Sequence, residues 1–518
     1  MSRSPQIARK PTGLVYQVKH LPLFLLIFGV ASASMLIPTI HGAISRDLES
    51  ARAFFYVGLL GLITFVLIAI AHSGRTARHG ALGPLMSLFS TFAFLPVFLA
   101  VPLYESLQTA MFVNVYFEMV SAITTTGATV FEDPGRLGDT LHLWRAQVGW
   151  MGGALMWIAA SAILAPLNLG GFEVTTQAEP GRRTIMSGES GRTGPRDRLV
   201  RIVSVLMPIY ISLTVVLWIA LIILGDTSFV ALCHAMSVMA TSGISPVGGV
   251  ENGGSGMAGE AVMMLFMMFA LSRLTFSSDT VTATSGGLRT DPEFRLGLLI
   301  VATVPLILFV RHWIGAIEYS DDGEWSQALP ALWGAIFTVM SFLTTTGFAS
   351  ADWATAQSWS GLGTPGLILM GLALMGGGVA TTAGGVKLLR VFALYLNGLR
   401  EMERLVHPSS VSSAGSEGRR LQVNGAFIAW IFFMLFALTL ATITVLLALT
   451  GVVFEDAVVM SVASLSTTGP LMDLAAGEPI PLADLGVATK GVLCVAMIMG
   501  RLEMLALIAL LTPDLWRA

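Results

Sequence analysis

The chain is poor in charge and almost free of cysteine. Only 12% of its 518 residues are charged, about half the roughly 25% that is usual for soluble domains. Hydrophobic residues make up 54%, and the mean hydropathy is +0.76. These values exclude an ordinary soluble enzyme and a disordered chain, and they indicate a protein that crosses a membrane many times. Cys233 and Cys494 lie in separate apolar stretches without metal-ligand spacing, so we expect two buried free thiols.

Catalytic and nucleotide-binding motifs are also missing. The sequence contains neither a Gly-Lys-Ser/Thr phosphate loop nor a His-Glu-x-x-His zinc site. Glycines in 254–259 match the spacing of a dinucleotide fingerprint, but no predicted strand precedes them. With a formal net charge of -3, the chain has no overall basic field for nucleic acid. We therefore expect no enzyme activity, no cofactor and no nucleic-acid partner.

Long apolar runs dominate the sequence instead. Ten of them come near the 17–25 residues that a helix needs to cross about 30 Å of hydrocarbon. They lie at about 21–40, 54–72, 82–102, 143–168, 200–224, 259–276, 296–316, 361–377, 425–452 and 488–512. Four further apolar stretches, at about 108–123, 228–240, 330–343 and 456–466, are too short to cross. We expect these four to enter the membrane and return on the same side.

A similar polar motif closes each of the four short stretches. The motifs are Ser121–Gly127 (SAITTTG), Ser237–Gly243 (SVMATSG), Ser341–Gly347 (SFLTTTG) and Ala463–Gly469 (ASLSTTG), which we call the Thr/Gly segments. Successive final glycines are 116, 104 and 122 residues apart, a period that fits two crossing helices and a hairpin. The predicted fold is an all-α polytopic membrane protein with four membrane-pore-membrane repeats in pseudo-fourfold arrangement, re-entrant pore helices and two extra N-terminal helices. The predicted boundaries are 1–79 for the N-terminal pair and 80–185, 186–288, 289–415 and 416–518 for repeats 1 to 4.

The distribution of charge predicts the orientation in the membrane. Basic residues cluster before the first apolar run, after the second, and in the later connections on the same side; examples are Arg3, Lys10, Arg75, Arg182, Arg196, Arg400 and Arg420. Positive charge marks the cytoplasmic side, so both termini are expected there. The opposite side carries mostly acidic residues, among them Glu132, Asp133, Glu251, Asp321, Asp322, Glu324, Glu455 and Asp473. The Thr/Gly segments should face outward among carboxylates that attract cations.

The composition of the Thr/Gly segments suits a path for a monovalent cation. An ion that leaves water must replace its hydration shell, and backbone carbonyls and hydroxyls provide compact oxygen ligands. Glycine permits the backbone angles that point successive carbonyls toward one axis. The candidate ligands are Thr125, Thr126, Gly127, Thr241, Ser242, Gly243, Thr345, Thr346, Gly347, Thr467, Thr468 and Gly469. Ser242 and Pro470 make the set asymmetric. Glu118 and His234, nine residues before their glycines, are expected to tie the short helices to neighbours through hydrogen bonds, and proton coupling is their alternative role.

Several longer motifs resemble one known family. They are Phe117–Thr129 around the first Thr/Gly segment, Ala178–Gly181, Gly376–Lys387 continuing through Gly398 to Pro408, and Gly500–Glu503 running to Thr512–Arg517. On these residues the chain resembles the TrkH/KtrB superfamily of potassium uptake proteins, and most closely its bacterial TrkH-type members. The resemblance implies that Gly127, Gly243, Gly347 and Gly469 favour potassium. It also implies a bacterial inner membrane, a homodimer, and a cytosolic TrkA-like nucleotide-binding subunit that docks on basic loops at about 173–199 and 387–422.

The glycine-rich stretch Gly376–Gly385 interrupts an apolar run. It contains Gly376, Gly377, Gly378, Gly384 and Gly385 with Thr381 and Thr382 between them. Each glycine costs a helix about 1 kcal/mol relative to alanine, so the helix should unwind there. The resemblance implies an intramembrane gate beneath the filter, and a close helix-packing surface is the alternative. Arg501 lies deep in an apolar run, and the resemblance implies that it projects into the pore. An ion pair with Glu503 or another carboxylate is its alternative role.

Taken together, these features predict a potassium uptake pore. A cation gains about 2.3 kcal/mol per 100 mV of inside-negative potential, so conduction like that of a channel suffices. Sodium- or proton-coupled symport by the same fold is an alternative within transport. From another class, a membrane-embedded transferase acting on lipid-linked substrates would use the acidic outer residues Asp321, Asp322 and Glu324.

Overall fold

The computed structural model describes residues 21–72, 82–107, 109–167, 169–172, 195–272, 288–315, 325–407 and 423–504. Within these ranges every extended regular element is a helix. The helices are α1 Leu23–Ser34, α2 Leu36–Ile44, α3 Leu48–His72, α4 Leu82–Ser106, α5 Phe112–Ile123, α6 Asp139–Ala159, α7 Pro195–Ile223, α8 Ser228–Ala240, α9 Gly256–Met267, α10 Pro292–Gly315, α11 Trp325–Leu343, α12 Trp353–Ser360, α13 Gly366–Met375, α14 Leu388–Val406, α15 Val423–Leu449, α16 Phe454–Leu465, α17 Leu471–Leu474 and α18 Val487–Leu502. The predicted all-helical class is confirmed.

Seven helical stretches in the described ranges are long and apolar enough to cross a membrane. They are Leu23–Ile44, Leu48–His72, Gly83–Ser106, Asp139–Leu167, Arg196–Ile223, Pro292–His312 and Gly425–Leu449. Each coincides with a predicted crossing, because an uninterrupted apolar run of this length has few other stable states. The first combines α1 and α2, and Asp139–Leu167 continues α6 through a π-helical turn and a short 3-10 turn.

The three remaining predicted crossings hold shorter helices. The predictions at 259–276 and 488–512 coincide with α9 and α18, and both extend past the described ranges. The prediction of one crossing helix over 361–377 is wrong, because α13 has only 10 residues. Gly361 is left-handed with φ +56° and ends α12, Pro365 caps α13, and Gly376 ends it with φ +70°. Glycine and proline at both ends therefore limit this helix.

The four short apolar stretches are helices with the expected ends. They coincide with α5, α8, α11 and α16, although α11 starts earlier than predicted and has 19 residues. Each packs against the long helix before it: α5 on α4, α8 on α7, α11 on α10 and α16 on α15. In addition, α5 packs against α18, which joins the beginning of the helical assembly to its end. The four short helices thus lie inside a shell of longer ones.

Candidate functional site

Each short helix is followed by the same unusual backbone turn. Thr125, Thr241, Thr345 and Thr467 have φ of 54°, 50°, 56° and 55°. A left-handed backbone costs an L-residue about 1–2 kcal/mol and is rare for a β-branched side chain. Strain of this kind persists only where the surrounding structure imposes it, and it clusters at functional sites. The four Thr/Gly segments therefore share one local conformation that their sequences alone disfavour.

One backbone hydrogen bond accompanies this turn in all four segments. The residue just before the final glycine donates its N–H to the carbonyl five residues earlier. The bonds are Thr126 to Ser121 (2.8 Å), Ser242 to Ser237 (3.0 Å), Thr346 to Ser341 (2.8 Å) and Thr468 to Ala463 (2.8 Å). The bond pulls the chain back over the end of its helix. Each segment consequently leaves its helix in the same direction.

The final glycines bring neighbouring segments into direct contact. A Cβ atom built on Gly127 would overlap the carbonyl oxygen of Ser242, so the first segment meets the second. A Cβ atom on Gly243 would lie 2.5 Å from the carbonyl oxygen of Thr346, so the second meets the third. No side chain fits between backbones at this separation. Both positions therefore require glycine for space as well as for their positive φ of 76° and 64°.

The remaining contacts close the set into a ring. A Cβ atom on Gly347 would lie 2.9 Å from Cγ of Pro470, which joins the third segment to the fourth. The N–H of Gly469 donates to the carbonyl of Thr126 at 2.6 Å, which joins the fourth to the first. Gly347 has φ +87°, whereas Gly469 lies outside the left-handed region. The asymmetry expected from Pro470 is thus present in the backbone.

The hydroxyls of the four left-handed threonines have different partners. Thr241 Oγ1 donates to the carbonyl of Ala240 at 2.8 Å, and Thr345 Oγ1 accepts from the N–H of Gly384 at 2.7 Å. Thr125 Oγ1 and Thr467 Oγ1 are buried and have no hydrogen-bond partner among the described residues. A buried oxygen without a partner is costly unless something binds it. These two hydroxyls can therefore serve as ligands for a dehydrated cation.

The short helices are tied to their surroundings as expected. Glu118 forms an ion pair with Arg145, with 2.5 Å between Oε1 and Nη2, and His234 Nε2 lies 2.9 Å from Ser245 Oγ. Asp226, just before α8, lies near the other ring nitrogen of His234 and accepts from the N–H of Ser255 at 2.9 Å. Burial raises the pKa of the Asp226 carboxyl, but the nearby ring of His234 and two hydrogen bonds from Ser255 outweigh it and hold the pKa below its ordinary value.

Asp473 lies four residues after Gly469, in α17. The residue as a whole is exposed. Desolvation of its carboxyl raises the pKa of Asp473 to about 6, with a smaller contribution from the carboxylate of Glu132. The charge beside the fourth Thr/Gly segment therefore changes near pH 6.

The glycine-rich loop, Gly376–Gly385, lies against the Thr/Gly segments. Besides the bond from Gly384 to Thr345, the N–H of Gly378 donates to the carbonyl of Ala270 at 2.9 Å. The N–H of Val379 donates to Glu293 Oε1 at 3.0 Å. A Cβ atom on Gly384 would overlap the carbonyl oxygen of Ser466 in the fourth segment. The predicted unwinding is present, and the loop packs directly beneath two of the four segments.

Arg501 is buried and holds the same loop. Its Nη1 donates to the carbonyl of Thr382 at 2.7 Å, and its Nε and Nη2 have no hydrogen-bond partner among the described residues. Glu503 forms its ion pair with Arg390, with 2.8 Å between Oε2 and Nη2, rather than with Arg501. The guanidinium of Arg390 also lies over the ring of Phe432 at 3.7 Å. These contacts fix the segment that follows the loop.

Some sequence predictions fall on residues that the structure does not describe. They include the Ala178–Gly181 and Thr512–Arg517 motifs, the basic stretch at 173–194 and the acidic outer residues Asp321, Asp322 and Glu324. Sequence reasoning also missed some residues of the site. The buried carboxylates of Glu260 and Glu293 were not identified, and the burial of Lys387, which ends the Gly376–Lys387 motif, was not foreseen. Glu260 lies at the start of an apolar run, which is a signal for a buried charge, but such a signal names no partner.

Comparisons with known proteins match this architecture. The TrkH family profile, described as a cation transport protein, matches residues 262–515. Trk system potassium uptake protein TrkH of Vibrio parahaemolyticus is 30% identical over 78% of this chain and 80% of its own. The TrkH protein of Salmonella typhimurium is 29% identical over 94% and 96%. The crystal structure of the potassium transporter TrkH from Vibrio parahaemolyticus superposes with a TM-score of 0.77 and 26% identity, covering 97% of this chain and all of the other.

The agreement extends over nearly the whole chain, and the family profile includes the third and fourth Thr/Gly segments, the glycine-rich loop and Arg501. On this evidence the resemblance seen in the sequence is confirmed, and the chain belongs to the TrkH family of cation transport proteins.

Proposed function

We propose that this protein carries potassium into the cell through a pore lined by the four Thr/Gly segments. The observation that carries the proposal is the closed ring of segments, each with a left-handed threonine at its base. The names of the relatives, potassium uptake proteins, support potassium as the ion. Membership of a transport family argues against the alternative of a membrane-embedded transferase. Transport of this kind needs no cofactor.

The Thr/Gly segments would replace the hydration shell of potassium. In this proposal the ligands are the backbone carbonyls and hydroxyls of Thr125, Thr126, Gly127, Thr241, Ser242, Gly243, Thr345, Thr346, Gly347, Thr467, Thr468 and Gly469. The free hydroxyls of Thr125 and Thr467 provide two oxygens at the inner end of the ring. An ion that enters such a ring exchanges water oxygens for protein oxygens at little net cost. The ring is therefore the selective part of the path.

The glycine-rich loop would close the path below the ring. Gly384 is bound to the hydroxyl of Thr345, so the loop occupies an oxygen that an ion could otherwise use. Arg501 holds the loop through the carbonyl of Thr382 and places a positive charge beside it. A fixed cation near the path repels a resting potassium ion. Opening requires the loop to leave both contacts, so Gly376, Gly377, Gly378, Thr381, Thr382, Gly384, Gly385 and Arg501 form the proposed gate.

The membrane arrangement and the partners complete the proposal. Both termini lie in the cytoplasm, and the chain sits in the bacterial inner membrane. The four repeats 80–185, 186–288, 289–415 and 416–518 surround one pore, and the pair of helices in 1–79 precedes them. Two chains form a homodimer, and a cytosolic TrkA-like nucleotide-binding subunit docks on the basic cytoplasmic segments. Lys387 and Arg390 are buried, which leaves Arg400 and Arg404 of α14 for that contact within the described part of 387–422.

Ion flux into proteoliposomes tests this function. Rubidium and sodium uptake are measured under an inside-negative potential for the parent and for Gly347→Asp, which places a carboxylate where Pro470 leaves no space. The matched control is Gly477→Asp, because Gly477 lies after the fourth segment with nothing within 4 Å of an added Cβ. We expect rubidium uptake to exceed sodium uptake in the parent and in the control, and to collapse in Gly347→Asp.

A closed gate could hide the activity in the purified parent. A variant that lacks 379–384 removes the bonds to Glu293 and Thr345 and should conduct rubidium without any regulator. If neither the parent nor this deletion variant moves rubidium, the proposed pore is wrong. Equal rubidium flux in Gly347→Asp and in the parent would instead show that ions follow another route.

A further inference from the structure

Glu260 is a buried carboxylate that the proposed pore does not yet use. It lies in α9, in the second repeat, and 1% of the residue is exposed. Its Oε2 accepts from Trp333 Nε1 at 2.7 Å and from Ser350 Oγ at 2.7 Å. Its Oε1 accepts from the N–H of Ala351 at 2.8 Å. Three donors on one buried carboxylate form a strong and directional attachment.

These donors lie on both sides of the third Thr/Gly segment. Trp333 is in α11, which leads into the segment, and Ser350 follows Gly347 by three residues. The N–H of Ser350 also donates to Thr338 Oγ1 in α11, at 3.2 Å. The chain that returns from the segment is thus fastened both to its own short helix and to a helix of the preceding repeat. Only Phe348 and Ala349 separate Gly347 from this attachment.

In the first segment a buried carboxylate, Glu118, occupies the position that Thr338 has in the third, nine residues before the final glycine. Glu118 Oε2 accepts from the N–H of Val130, three residues after Gly127, at 3.1 Å. Arg145 of α6 balances the charge of Glu118. In the second segment, proline occupies this position and has no N–H, and His234 instead contacts Ser245. In three segments, therefore, a polar side chain on a helix holds the chain that follows the final glycine. In the third segment most of these contacts come from a helix of the neighbouring repeat.

We propose that Glu260 is a positioning residue that sets the discrimination between potassium and sodium at the third segment; this rests on the proposed function of the ring. Carbonyls that are fastened from outside cannot move inward to coordinate the smaller sodium ion. Glu260 touches no ion. It acts through Ser350 and Ala351 on the carbonyls of Thr346 and Gly347, and the Thr346 carbonyl already lies at the contact with Gly243.

Two conservative substitutions remove parts of this attachment. Glu260→Gln keeps the size of the side chain but replaces one acceptor oxygen by an NH₂ group, which opposes an N–H donor. Trp333→Phe removes the indole N–H together with the five-membered ring and keeps a six-membered aromatic ring. A buried donor or acceptor that loses its partner is costly, so the outgoing chain should shift to satisfy it. The matched control is Glu251→Gln, which removes an exposed carboxylate from the connection preceding α9.

The readout is the ratio of rubidium to sodium flux in proteoliposomes, measured beside the thermal stability of each purified variant. We expect the ratio to fall about tenfold in Glu260→Gln and about threefold in Trp333→Phe, through increased sodium flux. In the double variant the rubidium-to-sodium flux ratio should fall by less than the product of the two single falls, because both substitutions break the same contact. Glu251→Gln should keep the parent ratio.

A purely structural role would lower stability or yield and leave the ratio unchanged. The inference is therefore overturned if Glu260→Gln and Trp333→Phe both fold and both keep the rubidium-to-sodium flux ratio of the parent. If Glu260→Gln does not fold, Trp333→Phe and Ser350→Ala decide the matter by the same ratio. Gly347→Asp separates this failure from failure of the pore itself. Unchanged rubidium flux in Gly347→Asp rejects the ring as the ion path. Lost flux in Gly347→Asp, together with parent flux ratios in Glu260→Gln and Trp333→Phe, rejects only the role of Glu260.

Discussion

At the scale of single residues, chemically similar threonines have acquired different tasks. Thr125 and Thr345 share one strained backbone conformation, so the difference lies in their hydroxyls alone. The hydroxyl of Thr125 has no partner among the described residues, while that of Thr345 holds Gly384 of the glycine-rich loop. Valine has nearly the shape of threonine and the same β-branching, so threonine-to-valine changes test each hydroxyl without changing the backbone preference.

Thr125→Val should weaken potassium binding and leave the gate closed. The loss of one oxygen ligand should raise the rubidium concentration that gives half-maximal uptake by about tenfold. Thr345→Val should instead favour opening of the gate, because Gly384 loses its hydrogen-bond acceptor and the glycine-rich loop is released. Concentration series of rubidium uptake, with and without a regulatory subunit, measure both effects. Equal behaviour of the two variants would contradict the different tasks.

Asp473 should make uptake sensitive to external pH. Its carboxyl has a pKa raised to about 6, so it is charged at neutral pH and takes up a proton as the pH falls through that value. Removing this negative charge near the fourth segment should lower rubidium uptake about twofold between about pH 7.5 and pH 5 at low rubidium concentration.

Two substitutions isolate this carboxyl. Asp473→Asn should show the lower uptake at both pH values, with no change across the interval. Glu478→Gln, which alters an exposed carboxylate in the same connection, should retain the pH response of the parent. A pH response that persists in Asp473→Asn would assign the titrating group elsewhere.

At the scale of elements, the sequence predicts the positions of the helices well and the contacts between distant residues poorly. The apolar runs placed the seven long helices and the four short ones, because apolar length and helix position are coupled in a membrane. The contacts that build the site join residues far apart in sequence: Thr345 and Gly384 are 39 residues apart, Glu260 and Ala351 are 91, and Arg390 and Glu503 are 113. No periodicity within one run specifies such pairs. The glycine-rich loop is intermediate, because its five glycines predicted the unwinding but not the docking onto Thr345.

The docking of this loop can be tested with two glycines of the same region. A Cβ atom on Gly384 would overlap the carbonyl of Ser466, whereas an added Cβ on Gly371, in α13, meets nothing within 4 Å. Gly384→Ala should displace the loop and raise rubidium leak by roughly tenfold without a regulator. Gly371→Ala should conduct as the parent does and gain about 0.5–1 kcal/mol of helix stability. Similar leak in both variants would contradict the close fit of the loop.

At the scale of the whole molecule, contacts between distant segments hold the ring together. The bond from Gly469 to Thr126 and the packing of α5 on α18 join the first part of the chain to its last. The ring therefore cannot form until nearly all of the chain is present. The two native cysteines take no part in it, since Cys233 and Cys494 are buried free thiols as predicted.

These buried thiols allow a direct test of membrane orientation. A membrane-impermeant maleimide should not react with the parent protein in intact cells, because both native thiols are inaccessible. Glu251→Cys places a thiol on the predicted outer side and should react in intact cells. Arg404→Cys, on the predicted cytoplasmic side, should react only after the membrane is permeabilised. The reverse pattern would invert the proposed topology.

The closure of the ring within a single polypeptide has a consequence for inheritance. In an assembly of four identical subunits, one altered codon changes the same position in all four segments of the ring. Here the four Thr/Gly segments are encoded separately, so one altered codon changes one segment only. The positions nine residues before the final glycines already differ, with Glu118, His234, Thr338 and Met460 in turn. Ion preference can therefore change one segment at a time during evolution.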